Sequence, residues 1–238
     1  MGVSGIIGVG KSTTLCRLRN TGALKTALQA QCDRAVRLVW LLEPSDLWNS
    51  LGWLQEFYKD PDANAFWFQF GVFDTHVDAV SDAIASCDTT TTNDVVVIVV
   101  ERTMYCQRLF WEVQYDLKRA KEQEHQVYVR MWNKWRRFIP EPAMIFYLKT
   151  STLEVAMERV EARAREEEQD GVTKAYQQHL LTKHNAWYTQ PVAYPPGCST
   201  QGIPCTHLLS DAPFHTDDNA LAQLSYDMAA ALKPLIKE

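Results

Sequence analysis

The residues best suited to chemistry form a glycine-rich stretch, GIIGVGKS, at residues 5–12. Its spacing, a glycine, four residues, then glycine, lysine and serine, is typical of a loop that cradles phosphate groups. The glycines let the backbone fold tightly enough to direct several N–H groups at one anion; they are Gly5, Gly8 and Gly10. Ordinary residue frequencies produce such a match by accident in about 1% of chains of this length. We therefore expect a loop that binds a nucleoside triphosphate.

The polar residues of the same stretch suit a triphosphate with its metal ion. Lys11 supplies a positive charge for the terminal phosphates, and the Ser12 hydroxyl can hold Mg²⁺. Thr13 lies at the start of a predicted helix, whose N-terminal dipole also favours anions. Because only four residues precede the loop, we expect the strand before it to be short.

Charged residues follow two further apolar segments, where doubly wound sheets hold their ligands. Glu43 comes directly after residues 35–42, and a carboxylate there can accept the proton of an attacking hydroxyl. Glu101 and Arg102 come directly after residues 95–100. An acid at that position usually faces the metal ion, and the arginine can hold Glu43 ionised or reach a phosphate. The alternatives are a solvated acid and a surface ion pair worth about 0–1 kcal/mol.

Three arginines recur near residue 160, at Arg159, Arg163 and Arg165. The first two share a helix face at a spacing of four, where like charges repel unless an anion lies between them. Together with the phosphate loop, this pattern favours a lid, about residues 159–172, that closes over transferring phosphates. A solvated face whose arginines pair with neighbouring glutamates is an equally open alternative.

The aromatic residues between the two charged sites indicate a planar ligand, although most of them must belong to the core. Gln69 differs from its neighbours because it is an amide within the run FWFQF. Burying an unpaired amide is unfavourable, and an amide can form the paired hydrogen bonds that a nucleobase edge offers. Gln69 is therefore a candidate base-reading residue.

The composition excludes several classes of protein. The chain has 238 residues, 46% of them hydrophobic, which suits one domain with a sizeable core. A formal net charge of −5 argues against a nucleic-acid surface. No apolar run reaches the roughly 20 residues of a membrane span, and neither a secretory signal nor a transit peptide is visible. The six cysteines form no C-x-x-C pair and are expected to be free thiols in a cytoplasmic protein.

Short apolar runs alternate with longer amphipathic stretches, which is typical of a parallel sheet covered by helices. After a short first strand, the predicted strands are residues 35–42, 95–100, 143–148 and 205–209. Predicted helices cover about residues 11–30, 62–86, 105–138 with a break, 152–168, 173–188 and 217–236. Residues 190–205 contain four prolines and two glycines and are predicted to form a loop.

The chain resembles the deoxynucleoside kinase family. The resemblance runs from the phosphate loop to about Tyr188, and its motifs follow one another in family order: GIIGVGKST, EPSDLW, LQEFYKDP, FQ, ERT, WNKW, and RAREEEQ with KHNAWY. It implies a P-loop kinase fold over residues 1–238, with a five-stranded parallel sheet flanked by helices and an arginine-rich lid. It also implies a homodimer.

The resemblance also implies roles for individual residues. Glu43 would take the proton of the substrate 5′-hydroxyl, with Arg102 assisting and with Ser12 and Glu101 on the Mg²⁺ side. The other residues implied in catalysis are Lys11, Arg163 and Arg165. The residues implied to contact ATP are Gly5, Gly8, Gly10, Lys11, Ser12, Thr13, Arg159, Arg163 and Phe214.

The deoxynucleoside would lie in a largely aromatic pocket. Tyr58 and Glu168 would hold the 3′-hydroxyl, and Gln69 would read a base sandwiched by Phe68 and Trp111. The remaining implied pocket residues are Trp48, Leu54, Phe57, Val72, His76, Arg102 and Gln107. Members of the family that phosphorylate deoxycytidine carry an arginine and an aspartate where this chain has His76 and Gln107, whereas Val72 is similar to members that accept thymidine.

The sequence thus predicts ATP-dependent phosphorylation of a deoxynucleoside 5′-hydroxyl, with pyrimidines, thymidine or deoxycytidine, favoured. A nucleoside monophosphate kinase is the nearest alternative, but its anionic acceptor calls for an arginine where Glu43 stands. A non-catalytic nucleotide switch is a second alternative. A guanine-reading N-K-x-D segment would support a switch, and residues 133–136, NKWR, lack its acid.

Overall fold

The computed structural model describes residues 1–87, 93–163, 171–189, 202–211, 214 and 216–236. Within these residues, a parallel sheet has the strand order β2-β3-β1-β4-β5. The strands are β1 (Gly2–Ser4), β2 (Val36–Leu41), β3 (Val95–Glu101), β4 (Ile145–Lys149) and β5 (Cys205–Leu209). The predicted strands are confirmed, including the short first one.

The three-residue strand β1 takes the centre of the sheet, between β3 and β4. Its neighbour β3, the most apolar segment of the chain, pairs with β2 on its other side, with Val36 opposite Val95 and Leu41 opposite Val100. Residues of β3 alternate between buried and half-buried, so the strand is covered unequally on its two faces. Because the strands are parallel, their carboxyl ends meet at one edge of the sheet.

Helices cover the sheet in the described part of the chain. They are α1 (Lys11–Thr21), α2 (Ala23–Gln29), α3 (Ser45–Ser50), α4 (Trp53–Lys59), α5 (Pro61–Ser86), α6 (Met104–Asp116), α7 (Glu122–Trp135), α8 (Leu153–Arg163), α9 (Lys174–Thr189) and α10 (Asp218–Leu232), followed by a 3₁₀ turn at Lys233–Leu235. Most predicted helices are confirmed. Two short helices, α3 and α4, were not predicted.

Backbone conformation explains where two predicted helices divide. Gly22 has a φ of +70°, which ends α1 and begins α2, so the predicted helix over residues 11–30 is two helices. Lys118 has a φ of +62° between α6 and α7, and it lies in the expected break. The predicted helix over residues 152–168 continues past the end of α8, and this last part lies outside the described residues. Most of the proline-rich loop also lies outside them.

The longest helix, α5, carries several candidate site residues, and its start is well determined. Asp60 is the N-cap residue, and its carboxylate accepts a hydrogen bond from the Ala63 N–H at 3.1 Å. Pro61 occupies the first helical turn, where a missing N–H leaves no partner unsatisfied. The Asp217 side chain caps α10 in the same way, by accepting from the N–H groups of Asn219 and Ala220.

Five cysteines lie within the described residues and all are free thiols, as predicted; they are Cys16, Cys32, Cys87, Cys106 and Cys205. No helix in the described ranges is both long and apolar enough to cross a membrane.

The packing predicts how two leucine substitutions differ. Leu18 on α1 is fully buried, so Leu18→Ala should lower the free energy of unfolding by about 2–5 kcal/mol. Leu51, beyond the end of α3, is 51% exposed, and Leu51→Ala should change stability by about 0.5 kcal/mol or less. Urea unfolding of both variants measures the difference. Equal losses would contradict the described packing of α1.

Candidate active site

The loop after β1 and the residues after β2 and β3 converge at the carboxyl edge of the sheet. They border a cleft of about 470 Å³. Lys11 and Ser12 line it from the phosphate loop, Glu43 from the end of β2, and Glu101 and Arg102 from the end of β3. The three charged groups expected at this edge therefore lie together around one cavity.

The phosphate loop has the backbone that its glycines predict. Gly8 and Gly10 have φ values of +85° and +88°, which residues with a Cβ rarely adopt. A Cβ on Gly8 would also lie 2.2 Å from the carbonyl oxygen of Ala156 on α8. The loop thus packs directly against the helix that carries Arg159.

Lys11 is buried and folds back onto its own loop. Its Nζ donates hydrogen bonds to the carbonyl oxygens of Gly5, at 3.1 Å, and Ile6, at 2.9 Å. Burial lowers the pKa of Lys11 from 10.5 to about 8, and the Arg102 charge acts in the same direction. The carboxylates of Glu101 and Glu43 oppose this shift.

Glu101 and Ser12 form an oxygen-rich corner beside the loop. The Ser12 hydroxyl donates to Glu101 Oε1 at 2.6 Å, and the Glu43 backbone N–H donates to Glu101 Oε2 at 3.3 Å. Burial raises the pKa of Glu101, and the nearby Glu43 carboxylate raises it further. A hydroxyl and a carboxylate are the donors that Mg²⁺ takes beside substrate phosphates, so these two residues fit the ion. A bound cation would also favour the ionised form of Glu101.

Arg102 is held by contacts with several parts of the chain. Its φ is +59°, an uncommon conformation for a residue with a side chain, and its N–H donates to the Val3 carbonyl at 2.9 Å. Its Nε lies 2.9 Å from Glu43 Oε1 in an ion pair, and its guanidinium lies 4.0 Å from the centre of the Phe110 ring. These contacts fix the position of the Glu43 carboxylate relative to the loop.

The other end of the cleft is lined by the aromatic and amide residues that the sequence singles out. The predicted residues that line it are Trp48, Leu54, Phe57, Tyr58, Phe68, Gln69, Val72 and Gln107. Phe57 stacks on Phe68 with ring centres 4.6 Å apart. Gln69 is 3% exposed, and its Oε1 has no hydrogen-bond partner among the described residues. An unpaired buried amide favours a polar ligand at this end.

Two predicted pocket residues do not line this cleft. Trp111 is fully buried, stacks on Tyr128 and donates from Nε1 to His125 Nδ1, so it lies in the core and does not line the cleft. Its predicted place beside a base stays a prediction. Helix α6 instead turns Phe110 toward the cleft. His76 lies one turn of α5 beyond Val72 and lines a smaller cavity behind Glu43.

Arg159, Arg163 and Phe214 also line the cleft. Arg159 Nη2 donates to the Ser210 carbonyl at 2.8 Å, which ties α8 to the end of β5. Arg165 and Glu168 lie outside the described residues. Several lining residues were not predicted, among them Phe110, Tyr176 and Ser210. A signal existed for Phe110, which shares a helix face with Gln107 at a spacing of three.

A comparison with known protein families identifies the family of the chain. The family model described as Deoxynucleoside kinase matches residues 1–225 of the chain. The chain belongs to the deoxynucleoside kinase family. Its fold is accordingly the P-loop kinase fold, and the family implies phosphorylation of a deoxynucleoside at the expense of a nucleotide. No curated protein matches the chain in the corresponding search.

The burial of Lys11 predicts a pH-dependent stability. Because its folded-state pKa of about 8 lies below the ordinary 10.5, the charged lysine destabilises the fold below pH 8. This penalty disappears as the pH rises from about 8 to 10.5. We expect wild type to gain up to about 3 kcal/mol over Lys11→Met across that range.

Urea unfolding of both proteins between pH 7 and 10.5 measures this gain. Lys25→Met removes an exposed lysine of α2 and serves as the matched control, with no comparable gain expected. A difference between wild type and Lys11→Met that stays constant across the range would contradict the burial of a charged Lys11.

Proposed function

We propose that the protein transfers the γ-phosphoryl group of ATP to the 5′-hydroxyl of a pyrimidine deoxynucleoside, thymidine or deoxycytidine. The observation that carries this proposal is the Glu43–Arg102 ion pair at 2.9 Å, which borders the same cleft as the phosphate loop. A carboxylate beside a phosphate cradle suits a neutral hydroxyl acceptor, because it attracts the proton that the hydroxyl must lose.

In this proposal Glu43 accepts the 5′-hydroxyl proton while the 5′-oxygen forms its bond to the γ-phosphorus and ADP leaves. Arg102 holds the Glu43 carboxylate in place and lies beside the reacting oxygen. Lys11, Arg159 and Arg163 offset the negative charge of the transferring group. Arg165 would join them, with residues 159–172 acting as a lid in a single kinase domain spanning the chain.

Mg²⁺ would be held by the Ser12 hydroxyl and Glu101, and when bound it would neutralise phosphate charge. Glu101 is already positioned by hydrogen bonds from Ser12 and from the Glu43 backbone, so its carboxylate needs little reorganisation. Thr13 and the loop glycines would direct backbone N–H groups at the phosphates, and Phe214 would lie near the adenine.

The amide groups at the far end of the cleft support a pyrimidine. Gln69 and Gln107 are both about 3% exposed and both line the cleft. An amide can donate and accept, so a rotated Gln69 can pair with the N3 edge of either thymine or cytosine. Tyr58 lines the same cleft and would hold the sugar 3′-hydroxyl, and Glu168 would assist it. Phe68 and Phe110 offer flat surfaces for a base.

Two alternatives are disfavoured by the same residues. A nucleoside monophosphate would bring its phosphate against Glu43 and the buried Glu101, which repel it. A switch that binds without turnover has no need of a carboxylate held by a strained arginine. The ion pair at 2.9 Å therefore favours phosphoryl transfer to a hydroxyl.

We also propose that the enzyme is a homodimer. Trp67 on α5 is 68% exposed and Val127 on α7 is 52% exposed, and these two helices pack against each other. Apolar side chains this exposed on adjacent helices suit burial against a second copy of the chain.

Replacing the proposed base tests the chemistry. Glu43→Gln keeps the shape of the side chain but cannot accept the proton, so kcat should fall by about 10²-fold or more. ATP binding, measured by calorimetry, should stay nearly unchanged because the phosphate loop is intact. Asp46→Asn removes an exposed acid of α3 and should leave kcat unchanged. An unchanged kcat in Glu43→Gln would remove Glu43 from the mechanism.

A substrate panel tests the base pocket. Thymidine and deoxycytidine should have kcat/KM values within about tenfold of each other, because both lie within reach of the same neutral amides. Gln69→Leu should lower both values by roughly 10–100-fold, since each base loses its paired hydrogen bonds. Gln223→Leu, an exposed amide of α10, is the control. Preference for thymidylate over thymidine would overturn the proposed function.

A further inference from the structure

A second, smaller cavity of about 20 Å³ lies behind Glu43. Glu43, Trp48, Glu101 and Gln107 separate it from the main cleft, because all four line both spaces. His76 lines the small cavity and not the cleft. The remaining walls are Leu41, Leu42, Pro44, Thr75, Ala79, Val80 and Val100.

The polar side chains around this cavity have unused hydrogen-bonding capacity. No group in the described ranges hydrogen-bonds to the His76 ring, and the same holds for the Gln107 side-chain amide, which is about 3% exposed. Thr75, in contrast, is satisfied, since its hydroxyl contacts the Gly71 and Val72 carbonyls and accepts from Trp48. Gln107 is buried and His76 is half-buried, and polar groups in such places that lack protein partners are normally paired by an ordered water or a ligand.

The size and the lining of the cavity suit one water molecule. A buried water needs a space of about 10–15 Å³ or more and two to four polar partners. This cavity has the volume, and its polar lining residues include two glutamates, one histidine and one glutamine. Burial lowers the pKa of His76 to about 4, so the neutral ring offers one N–H donor and one acceptor nitrogen.

We propose that this cavity binds a water molecule that bridges His76 to the Glu43 carboxylate, and that His76 is a positioning residue for Glu43 rather than a reader of the base. The ion pair with Arg102 holds one oxygen of Glu43 at 2.9 Å. The water would hold the carboxylate from behind, and Gln107 would complete its hydrogen bonds. The inference rests on the proposed role of Glu43 as the base.

Kinetics with both pyrimidine deoxynucleosides distinguish positioning from base reading. His76→Leu removes both ring nitrogens and should lower kcat about tenfold, because the carboxylate loses one of its restraints. KM for thymidine and the thymidine-to-deoxycytidine ratio of kcat/KM should change less than twofold. His76→Gln restores a donor and an acceptor and should recover most of kcat. His179→Leu, an exposed histidine of α9, is the control.

Thermal unfolding first establishes that each variant is folded. If His76→Leu does not fold, His76→Phe replaces it in the kinetic comparison. An unchanged kcat, or a tenfold change in the thymidine-to-deoxycytidine ratio, would overturn the proposal.

High-resolution crystal structures of wild type and His76→Leu give a readout independent of turnover. Wild type should have an ordered water within hydrogen-bond distance of His76 and Glu43, and the variant should have lost it. A wild-type cavity without water overturns the inference whatever the kinetics. A wild type that phosphorylates no deoxynucleoside overturns the proposed function instead, while the crystal structures still test the water site.

Discussion

The site depends on two acidic and two basic side chains held side by side at the edge of the sheet. Lys11, Glu101 and Arg102 are each less than 10% exposed, and the Glu43 side chain is 19% exposed. Burying any one of these charges alone would strongly disfavour its ionised form, whereas together they compensate one another. Burial lowers the pKa of Lys11 and raises the pKa of Glu101, so desolvation still disfavours the charged forms of both residues within the cluster.

This balance also constrains what the cleft can bind. The four charges sum to zero, so a triphosphate adds negative charge that the cluster cannot offset unaided. A metal ion beside Ser12 and Glu101, together with the arginines of α8, would supply the missing positive charge. Arg159 already contacts Ser210, and the loop lies against Ala156 of the same helix. The packing of the phosphate loop against α8 therefore also positions the arginines of that helix relative to the loop.

Much of the site could be predicted from the sequence because its positions follow from topology. A parallel sheet brings the ends of its strands to one edge, so Glu43 and Glu101 meet although 58 residues separate them. The conformation of the phosphate loop follows from its glycines, since few other residues adopt the φ of Gly8. Neither inference needs knowledge of side-chain packing.

The orientation of helix faces could not be predicted in the same way. Residues 107, 110 and 111 all occupy neighbouring faces of α6, and only packing against Tyr128 decides that Trp111 turns into the core. Likewise, His76 shares a helix face with Gln69, but it lies far enough along α5 to reach the space behind Glu43. The positive φ of Arg102 has no local signal, because tertiary contacts impose it.

A crystal structure with a deoxynucleoside and a non-transferable ATP analogue gives the most direct measurement of the central claim. With the base held by Gln69 and the phosphates in the loop, a carboxylate oxygen of Glu43 should lie about 2.6–3.2 Å from the substrate 5′-oxygen. A 5′-oxygen held by another group, with Glu43 out of hydrogen-bond reach and no water between them, would contradict the account.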